Sequence, residues 1–457
     1  MSAAGFDVIV IGAGPAGEAA AGRLAQRGNR RVALIERELV GGECAYWACM
    51  PSKALLRPGA LLAEVARVPG AAEAAGGRGV DAAATLRRRD EVIHDRSDAT
   101  QLPWLERRGV TLLRGHARLD GERRVRVDDE LHEAREAVVV AVGSGPLLPP
   151  IPGLADAAAW TNREATTARE VPRRLVVLGG GVVGVELAQA WRTLGAEVTV
   201  VEAAERLIAR EEPFAGEQVA DALRGRGVDV RLGAKATAVT RDGEATTVAL
   251  EDGTRVAGDR LLVAIGRRPR TEDLGLEVVG LEPGRSIEVD DAQRVPDHPW
   301  LYAIGDVNGR ALLTHMGKYQ ARVAADAIMG APARVRVDGA AAPRVIFTDP
   351  EVAAAGRTLA SAQEAAMTVR AVDVETSSTP GASFRGRNAP GTTRFVIDVQ
   401  RELLVGATFV GAEVAELLHA ATIAIAGEVP LRTLAHAVPA FPTREELWLK
   451  LLDACGV

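Results

Sequence analysis

The chain has 457 residues, of which 47% are hydrophobic and 25% are charged, and a length of this kind allows about three globular domains. Its 55 basic and 61 acidic residues leave a net charge of −6, which argues against a general nucleic-acid-binding protein because such a protein carries a basic surface. No apolar run approaches the ~20 residues that a helix needs to cross a bilayer, so we expect no membrane insertion.

The first predicted elements are a strand, a glycine-rich turn, a helix and a second strand, in residues 6–36, FDVIVIGAGPAGEAAAGRLAQRGNRRVALIE. A signal peptide would begin with a basic segment, which is missing here, so we expect a cytoplasmic protein. The turn has the pattern G-x-G-x-x-G, formed by Gly12, Gly14 and Gly17. Such glycines allow a tight turn, a close approach to a pyrophosphate and close helix packing, while the acid that ends the second strand, here Glu36, binds a ribose.

Residues 41–53, GGECAYWACMPSK, hold two of the chain's three cysteines, Cys44 and Cys49. Three interpretations arise: a redox-active dithiol, a metal site, or two inert buried thiols. A zinc site needs further Cys or His ligands, but only Cys455 remains and the seven histidines do not cluster near it, so we expect no metal. The framing Gly-Gly and Pro-Ser-Lys favour the dithiol over inert thiols. Trp47, between the cysteines, either narrows the cleft, adds a stacking surface to it, or packs under the loop.

The middle of the chain repeats the first unit. Helical patterns at 52–66 and 83–107 precede short strands that end in EAVVVAVGSGP, with a glycine turn at Gly143. After the proline-rich LLPPIPG, residues 174–202 read RLVVLGGGVVGVELAQAWRTLGAEVTVVE. The three glycines and the terminal acid recur as Gly179, Gly181, Gly184 and Glu202. One G-x-G-x-x-G is a weak signal, but two copies with an acid at the expected distance predict two dinucleotide sites.

The remaining elements suggest a return to the first domain and then a third domain. A strand pattern ends in RLLVAIGRRP, which contains Gly266, and PWLYAIGDV is a strand that runs into a turn at Asp306. A helix is predicted at 314–329. From Pro343 onward, the strand patterns RVIFT, TRFVIDV and LLVGATFVG alternate with helical patterns, which is typical of an α+β domain. The helical patterns cover 412–426 and 443–454.

In their order and spacing, six motifs resemble the pyridine nucleotide–disulfide oxidoreductase family, the group of dihydrolipoamide dehydrogenase, glutathione reductase and mercuric reductase. They are GAGPAG, GGECAYWACMPSK, GGGVVGVE, AIGRRP, YAIGDV and TDPEVAAAG. The resemblance implies an α/β protein with two Rossmann-like dinucleotide-binding domains, for FAD and NAD, and a C-terminal α+β dimerisation domain. The implied segments are the FAD-binding domain at 1–148, the NAD(P)-binding domain at 149–266, the second FAD-binding or central part at 267–340, and the dimerisation domain at 341–457.

The resemblance also assigns roles to single residues. Glu36 would hold the adenosine ribose of FAD and Asp306 the ribityl chain, with Gly143 and Gly266 as further positions next to a cofactor. In the second repeat, Glu202 would repel a 2′-phosphate and accept from a 2′-hydroxyl. The NADP-using members have arginines just after this strand, where this chain has two alanines. NADH is therefore favoured over NADPH, although a phosphate contact from the nearby Arg206 stays open.

At the reactive centre, the resemblance implies that Cys44 exchanges with a small-molecule disulfide while Cys49 lies against the flavin. Such exchange needs a thiolate attacker and a good leaving thiol. Lys53, paired with Glu186, would lie near the reactive edge of the flavin and stabilise negative charge there. The family acts as a homodimer whose active site is shared across the subunits.

The chain departs from the family near its C-terminus. The family has His-x-His-Pro-Thr followed by Glu, in which the second His is the acid–base catalyst from the partner subunit and the Glu orients it. Here the stretch reads PAFPTREE, so Phe441 takes the catalytic position and Glu446 is retained. Because positioned acid–base groups contribute about 10²–10⁴-fold, we expect hydride transfer from NADH to survive and reduction of ordinary disulfides to be slow.

Other functions stay open at this point. One is an NAD(P)H:quinone or artificial-acceptor reductase that bypasses the dithiol. Another is proton-excluding chemistry like that of 2-ketopropyl-coenzyme M oxidoreductase/carboxylase, which also has Phe at this position but has His where this chain has Glu446. A redox sensor without turnover is disfavoured by the complete set of hydride-transfer residues. Cys455 is expected to be a packed thiol at a helix end, with an electron relay across a dimer as the minor alternative.

Overall fold

The computed structural model describes residues 5–387 and 389–457. Its strands, in chain order, are β1 (Phe6–Ile11), β2 (Val32–Glu36), β3 (Val110–Arg114), β4 (Ala117–Leu119), β5 (Arg124–Val127), β6 (Glu130–Val140), β7 (Ser144–Pro146), β8 (Arg174–Leu178), β9 (Glu197–Val201), β10 (Asp229–Arg231), β11 (Ala236–Asp242), β12 (Ala245–Leu250), β13 (Arg255–Gly258), β14 (Arg260–Val263), β15 (Arg267–Pro269), β16 (Arg294–Val295), β17 (His298–Ala303), β18 (Arg344–Ile346), β19 (Glu351–Gly356), β20 (Val369–Glu375), β21 (Thr392–Asp398) and β22 (Leu403–Gly411). Its α-helices are α1 (Pro15–Gly28), α2 (Gly42–Tyr46), α3 (Cys49–Arg67), α4 (Ala71–Ala75), α5 (Ala82–Val92), α6 (Leu102–Glu106), α7 (Asn162–Thr167), α8 (Val182–Thr193), α9 (Pro213–Gly225), α10 (Thr314–Ile328), α11 (Leu359–Glu364), α12 (Pro380–Ser383), α13 (Leu418–Ala426), α14 (Leu431–Leu434) and α15 (Leu447–Ala454).

The first compact unit is built from the residues up to Pro51, from Asp90–Leu147 and from Arg267–Gly339. Its main sheet has the strand order β16-β17-β6-β1-β2-β3, and β4 and β5 attach through β6. The central strand β1 pairs in parallel with β2 and β6. Its side chains alternate between two buried clusters, with Val8 on one face and Ile9 on the other. Burial on both faces explains the unbroken apolar run of this strand.

The second compact unit is built from Ser52–Arg89, Leu148–Gly266 and Ala340–Val457. It contains a parallel sheet of order β10-β9-β8-β14, which carries the second glycine turn and α8, and an antiparallel sheet β11-β12-β13. A further antiparallel sheet, β18-β19-β22-β21-β20, packs against α13 and α15. The predicted fold class, two Rossmann-like units and a C-terminal α+β domain, is confirmed. The assignment of the four sequence segments to named domains stays a prediction.

Two helix predictions need correction. The helix expected at 83–107 is broken, because α5 ends at Val92 and helix resumes only at α6. Between them, His94, Asp95 and Arg96 have φ values of 50°, 50° and 60°, and a right-handed helix cannot continue through left-handed residues. The helix expected at 443–454 begins as a 3₁₀ turn over Arg444–Glu446 before α15.

Within the described ranges, no helix combines the length and the apolar character that a membrane crossing requires.

Candidate active site

The first glycine turn has the geometry of a phosphate cradle. Gly12 has a φ of 98°, and a Cβ on Gly17 would lie 1.8 Å from the Gly12 carbonyl oxygen, so both positions require glycine. In contrast, a Cβ on Gly14 would meet no atom within 4 Å. The Glu36 carboxylate accepts from the Ala13 N–H at 2.8 Å, which fixes the acid beside the turn. An open second glycine at a helix N-terminus with a fixed acid alongside fits the pyrophosphate and ribose of a dinucleotide such as FAD.

The second glycine turn repeats this geometry in the other unit. Gly179 has a φ of 109°, a Cβ on Gly184 would lie 1.9 Å from the Gly179 carbonyl oxygen, and a Cβ on Gly181 would meet no atom within 4 Å. The Glu202 carboxylate accepts from the Gly180 N–H at 2.5 Å and from the backbone N–H two residues after itself at 2.7 Å. The second turn therefore fits a second dinucleotide in the same way.

Asp306 lies half-buried in the turn that follows β17. Its Oδ2 accepts from the Ser144 hydroxyl at 2.5 Å, and the Arg267 Nε donates to the same hydroxyl at 2.7 Å. Burial raises the pKa of Asp306, while the Ser144 hydrogen bond and the Arg267 charge act in the opposite direction. Gly143 and Gly266 have φ values of 70° and 151°. A half-buried carboxyl held in this way can accept from a polyol hydroxyl, as the ribityl role requires.

The two cysteines lie at the junction of two helices, Cys44 in α2 and Cys49 at the start of α3. Both are thiols, and the Cys49 Sγ lies 3.4 Å from the Thr314 Oγ1. The hydrogen bond between the Cys44 thiol and Cys49 raises the pKa of Cys44, and burial raises it further. Thr314 and the positive charge of Lys318 lower it. In the described part of the chain, no three His, Cys, Asp or Glu side chains form a metal-binding group.

The loop between the cysteines is anchored by aromatic and ionic contacts. Tyr46 is buried and donates from its hydroxyl to the Val40 carbonyl at 3.0 Å. The Trp47 ring is half-buried and meets the Tyr46 ring edge-on, with centroids 5.7 Å apart. Directly before Cys44, the Glu43 carboxylate pairs with Arg270 at 2.6 Å. Trp47 thus packs on the loop while it keeps part of its surface accessible.

Lys53 and Glu186 form the ion pair that the sequence suggested. The Lys53 Nζ lies 2.7 Å from the Glu186 Oε2, and the two side chains are 36% and 4% exposed. The Glu186 Oε1 accepts from the Phe347 N–H at 2.9 Å, and the Lys53 Nζ lies 4.8 Å from the Phe347 ring centroid. One turn further along α8, the Gln189 side chain accepts from the Asp349 N–H at 2.8 Å. These contacts hold the Glu186 carboxylate in one orientation.

The C-terminal segment presents an exposed aromatic ring where the resemblance places a base. Phe441 is 75% exposed. The Oε2 of Glu446 is buried, and no atom of residues 5–387 or 389–457 forms a hydrogen bond with it. Cys455 is buried at the end of α15, which confirms the expectation of a packed thiol, and burial raises its pKa.

Sequence reasoning missed several of these partners. Ser144 follows Gly143 directly and Thr314 starts a predicted helix, so both were visible as neighbours of motif residues. Phe347 gave no signal because its backbone N–H makes the contact, and every residue except proline has one. The long-range pair of Glu43 and Arg270 had no local pattern at all.

Comparisons with known proteins agree with this geometry. Residues 6–328 match the family described as pyridine nucleotide-disulphide oxidoreductase, and residues 342–451 match the dimerisation domain of that family. The chain is 34% identical to a dihydrolipoyl dehydrogenase of Haloferax volcanii over 97% of this chain and 95% of the relative.

Two further known proteins are similar to this chain over most of its length. A mercuric reductase of Acidithiobacillus ferrooxidans is 34% identical over 94% of this chain and 78% of the relative. The crystal structure of LpdA from Mycobacterium tuberculosis superposes with a TM-score of 0.85 at 26% identity, covering 98% of this chain and 99% of that one. The protein therefore belongs to the pyridine nucleotide–disulphide oxidoreductase family, whose members are oxidoreductases that use FAD and a pyridine nucleotide.

Proposed function

We propose that the protein is a homodimeric, cytoplasmic enzyme that passes electrons from NADH through FAD to the Cys44–Cys49 pair and then to a disulfide-type substrate. The observation that carries the proposal is the hydrogen-bonded dithiol itself. The Cys44 thiol bonds with Cys49, and the Thr314 hydroxyl contacts the Cys49 sulfur at 3.4 Å. Two sulfur atoms within hydrogen-bonding reach of each other can alternate between dithiol and disulfide without a large movement of the backbone.

The exchange step follows from this arrangement. The Cys44 thiolate attacks one sulfur of a substrate disulfide, and a mixed disulfide forms while the substrate bond breaks and one thiolate leaves. The Cys49 thiolate then attacks the Cys44 sulfur, which releases the second thiolate and closes the Cys44–Cys49 disulfide. Two electrons have passed from the dithiol to the substrate.

FAD, when bound, supplies the hydride and electron chemistry that no side chain can provide. The chain's own residues would bind and orient it. Glu36 would accept from the adenosine ribose and Asp306 from the ribityl chain, and the open Gly14 would leave room for the pyrophosphate. Lys53 would keep a positive charge near the ring, where negative charge develops during reduction.

NADH is the nicotinamide cofactor that we favour. The Glu202 carboxylate is fixed by two backbone N–H groups, so it presents a stationary negative charge where a 2′-phosphate would lie. The nearest candidate for a phosphate contact, Arg206, turns its guanidinium to the Ala209 carbonyl at 3.5 Å. A comparison of NADH and NADPH in steady-state turnover tests this preference, and equal kcat/KM values would contradict it.

The homodimer would share its active site, as in the family. Three apolar side chains of the predicted dimerisation domain are exposed and would be covered by a partner subunit: Phe384, Val438 and Phe441 are 70%, 77% and 75% exposed. Burial of one such side chain is worth about 1.5–3 kcal/mol. In a homodimer of the family type, Phe441 would face the dithiol of the partner, and neither it nor any other aliphatic or phenyl side chain can protonate a departing thiolate.

The preferred substrates should therefore release thiols that need no enzymic proton donor. Turnover of a series of disulfides tests this idea, with aromatic disulfides of acidic thiols compared with lipoamide. We expect kcat/KM to rise by about tenfold or more as the leaving thiol becomes more acidic. A flat dependence would show that a proton donor acts on the leaving thiol after all.

The dithiol itself is tested by thiol counting. Anaerobic NADH should convert Cys44 and Cys49 into two thiols that react with iodoacetamide, and Cys44→Ser should abolish disulfide turnover. If Cys44→Ser leaves the reduction of every accepted disulfide unchanged, the exchange function is wrong.

A second candidate is a reductase of quinones or artificial acceptors that does not use the dithiol. It is favoured by Phe441 at the position of the base and by the partly accessible ring of Trp47. It differs from the first candidate in that its turnover would continue after alkylation of both cysteines.

A further inference from the structure

The chain uses lysine very sparingly. Of its 55 basic residues only four are lysines, Lys53, Lys235, Lys318 and Lys450, and the rest are arginines. The two side chains differ, because lysine carries a compact, mobile point charge whereas arginine carries a planar, delocalised one. Lys53 is already placed in the ion pair with Glu186. Lys318 lies on α10, whose first residue, Thr314, contacts the redox cysteine Cys49.

The position of Lys318 on α10 directs it toward the dithiol loop. Lys318 is exposed and follows Thr314 by four residues, so the two side chains share one face of the helix. At the neighbouring position, a Cβ on Gly317 would lie only 3.2 Å from the Cβ of Ala16. α10 is therefore pressed against the first turn of α1 at the level of Lys318.

The helix that carries Cys44 lies on the same turn of α1. A Cβ on Gly42, the first residue of α2, would lie 2.9 Å from the Cα of Gly14. The N-terminal end of α1 is thus in contact with both α2 and α10. Glu18 lies in the first turn of α1, at the same end of this helix.

Charges around Cys44 agree with this placement. Cys49 and burial raise the pKa of the Cys44 thiol, whereas Thr314 and Lys318 lower it. Lys318 is the cation among these groups, and its charge favours the thiolate. The same ammonium group acts on Glu18, together with Glu36.

Two ion pairs also lie around the loop. Glu43 pairs with Arg270, and Asp98, which faces Tyr46, pairs with Arg114.

We propose that Lys318 is a positioning residue for thiol–disulfide exchange, whose ammonium group supplies the counter-charge of the Cys44 thiolate. This charge comes from the same chain as Cys44, so it does not depend on a base from the partner subunit. The inference rests on the proposed function only in taking Cys44 as the exchanging thiol. Because Lys318 is exposed, the effect is partly screened by solvent and should weaken at high ionic strength.

The test measures the reactivity of Cys44 directly. The purified flavoprotein is reduced anaerobically with dithiothreitol and then freed from the reductant. It is treated with iodoacetamide at a series of pH values from about 5.5 to about 9.5, a range that spans the usual pKa values of reactive cysteines. Mass spectrometry of the fragmented peptide reads the modification of Cys44 and of Cys49 separately. We expect Lys318→Met to slow the alkylation of Cys44 at pH 7 by about three- to tenfold and to move the midpoint of its pH profile upward.

Conservative and distant variants separate charge from structure. Lys318→Arg should restore most of the wild-type rate because it keeps the charge. Salt at 0.5–1 M, which shortens the screening length about two- to threefold relative to physiological salt, should reduce the difference between wild type and Lys318→Met. Lys235→Met should leave the profile unchanged, since the Lys235 side chain is 66% exposed and contacts Glu251. If Lys318→Met does not fold, Lys318→Gln replaces it.

Two outcomes would overturn the proposal: identical profiles for wild type and Lys318→Met, or no gain of Lys318→Arg over Lys318→Met. Failure of the proposed function would be seen separately, as a wild-type protein in which NADH produces no new thiols at Cys44 and Cys49.

Discussion

The protonation of Glu18 should set part of the pH dependence of stability. Glu18 lies in the first turn of α1, and burial raises its pKa from the ordinary 4.5 to about 7, with Lys318 lowering it and Glu36 raising it. The folded protein therefore prefers the protonated carboxyl. The stabilisation from this preference is fully present below pH ~4.5 and is lost as the pH rises through about 7. Above that pH, Glu18 causes no further change in stability.

The size of the loss follows from the shift. A change from 4.5 to about 7 corresponds to about 3.4 kcal/mol at 1.36 kcal/mol per pH unit, and we expect about 2–3 kcal/mol because the side chain keeps some contact with water. Glu18→Gln cannot ionise and should escape this loss. It should thus be more stable than the wild type at pH 8.5 by about 2–3 kcal/mol and similar to it near pH 4.5.

Urea unfolding of the purified flavoprotein, followed by tryptophan fluorescence at several pH values, measures this difference. Glu251→Gln is the matched control because the Glu251 side chain is 67% exposed, and its difference from the wild type should not vary with pH. A Glu18→Gln variant whose difference from the wild type is the same at pH ~5 and pH ~8.5 would refute the reasoning, since linkage requires the difference to grow.

Two further substitutions test the other parts of the site. Lys53→Met leaves the buried Glu186 carboxylate without its cation and should destabilise the protein by about 1–3 kcal/mol. This loss is smaller than for a fully buried pair because Lys53 is 36% exposed. Urea unfolding measures the loss, and the double variant Lys53→Met/Glu186→Leu should recover most of it. Phe441→His should raise lipoamide reduction by about tenfold or more, because the unpartnered Glu446 Oε2 could orient the new imidazole. An NADH-dependent lipoamide assay measures the gain, and a folded variant without any gain would contradict the alignment of this segment with the family motif.

The glycine turns could be predicted from the sequence because their geometry is dictated locally. Gly12 needs a positive φ and Gly17 needs a missing Cβ, and both requirements belong to a strand–turn–helix unit of fixed length. The start of α6 has a sequence signal that the prediction overlooked, because Pro103 lies in the first turn of that helix, where proline is favoured. The left-handed residues 94–96 could not be predicted, since none of them is a glycine that would mark a break. Contacts such as that of Glu186 with the Phe347 N–H join residues 161 positions apart, and no sequence spacing encodes them.

In the proposed function, Phe441 stands where the family has its catalytic histidine, and this separates two requirements that the family meets with one residue. Thiol–disulfide exchange needs an attacking thiolate, and it needs a proton for the thiolate that leaves. A cation in the same chain can meet the first requirement, and we assign this role to Lys318, whose charge lowers the pKa of Cys44.

The second requirement has no such substitute, because Phe441 cannot deliver a proton. Glu446, whose buried Oε2 has no hydrogen-bond partner among the described residues, lies five positions after Phe441 in the sequence. A site that meets only the first requirement should discriminate by the acidity of the leaving thiol rather than by its shape. Under the proposed function, the phenyl ring of Phe441 would act as a selectivity element: it would slow the reduction of disulfides with poor leaving thiols and leave the electron path through Cys44 and Cys49 intact.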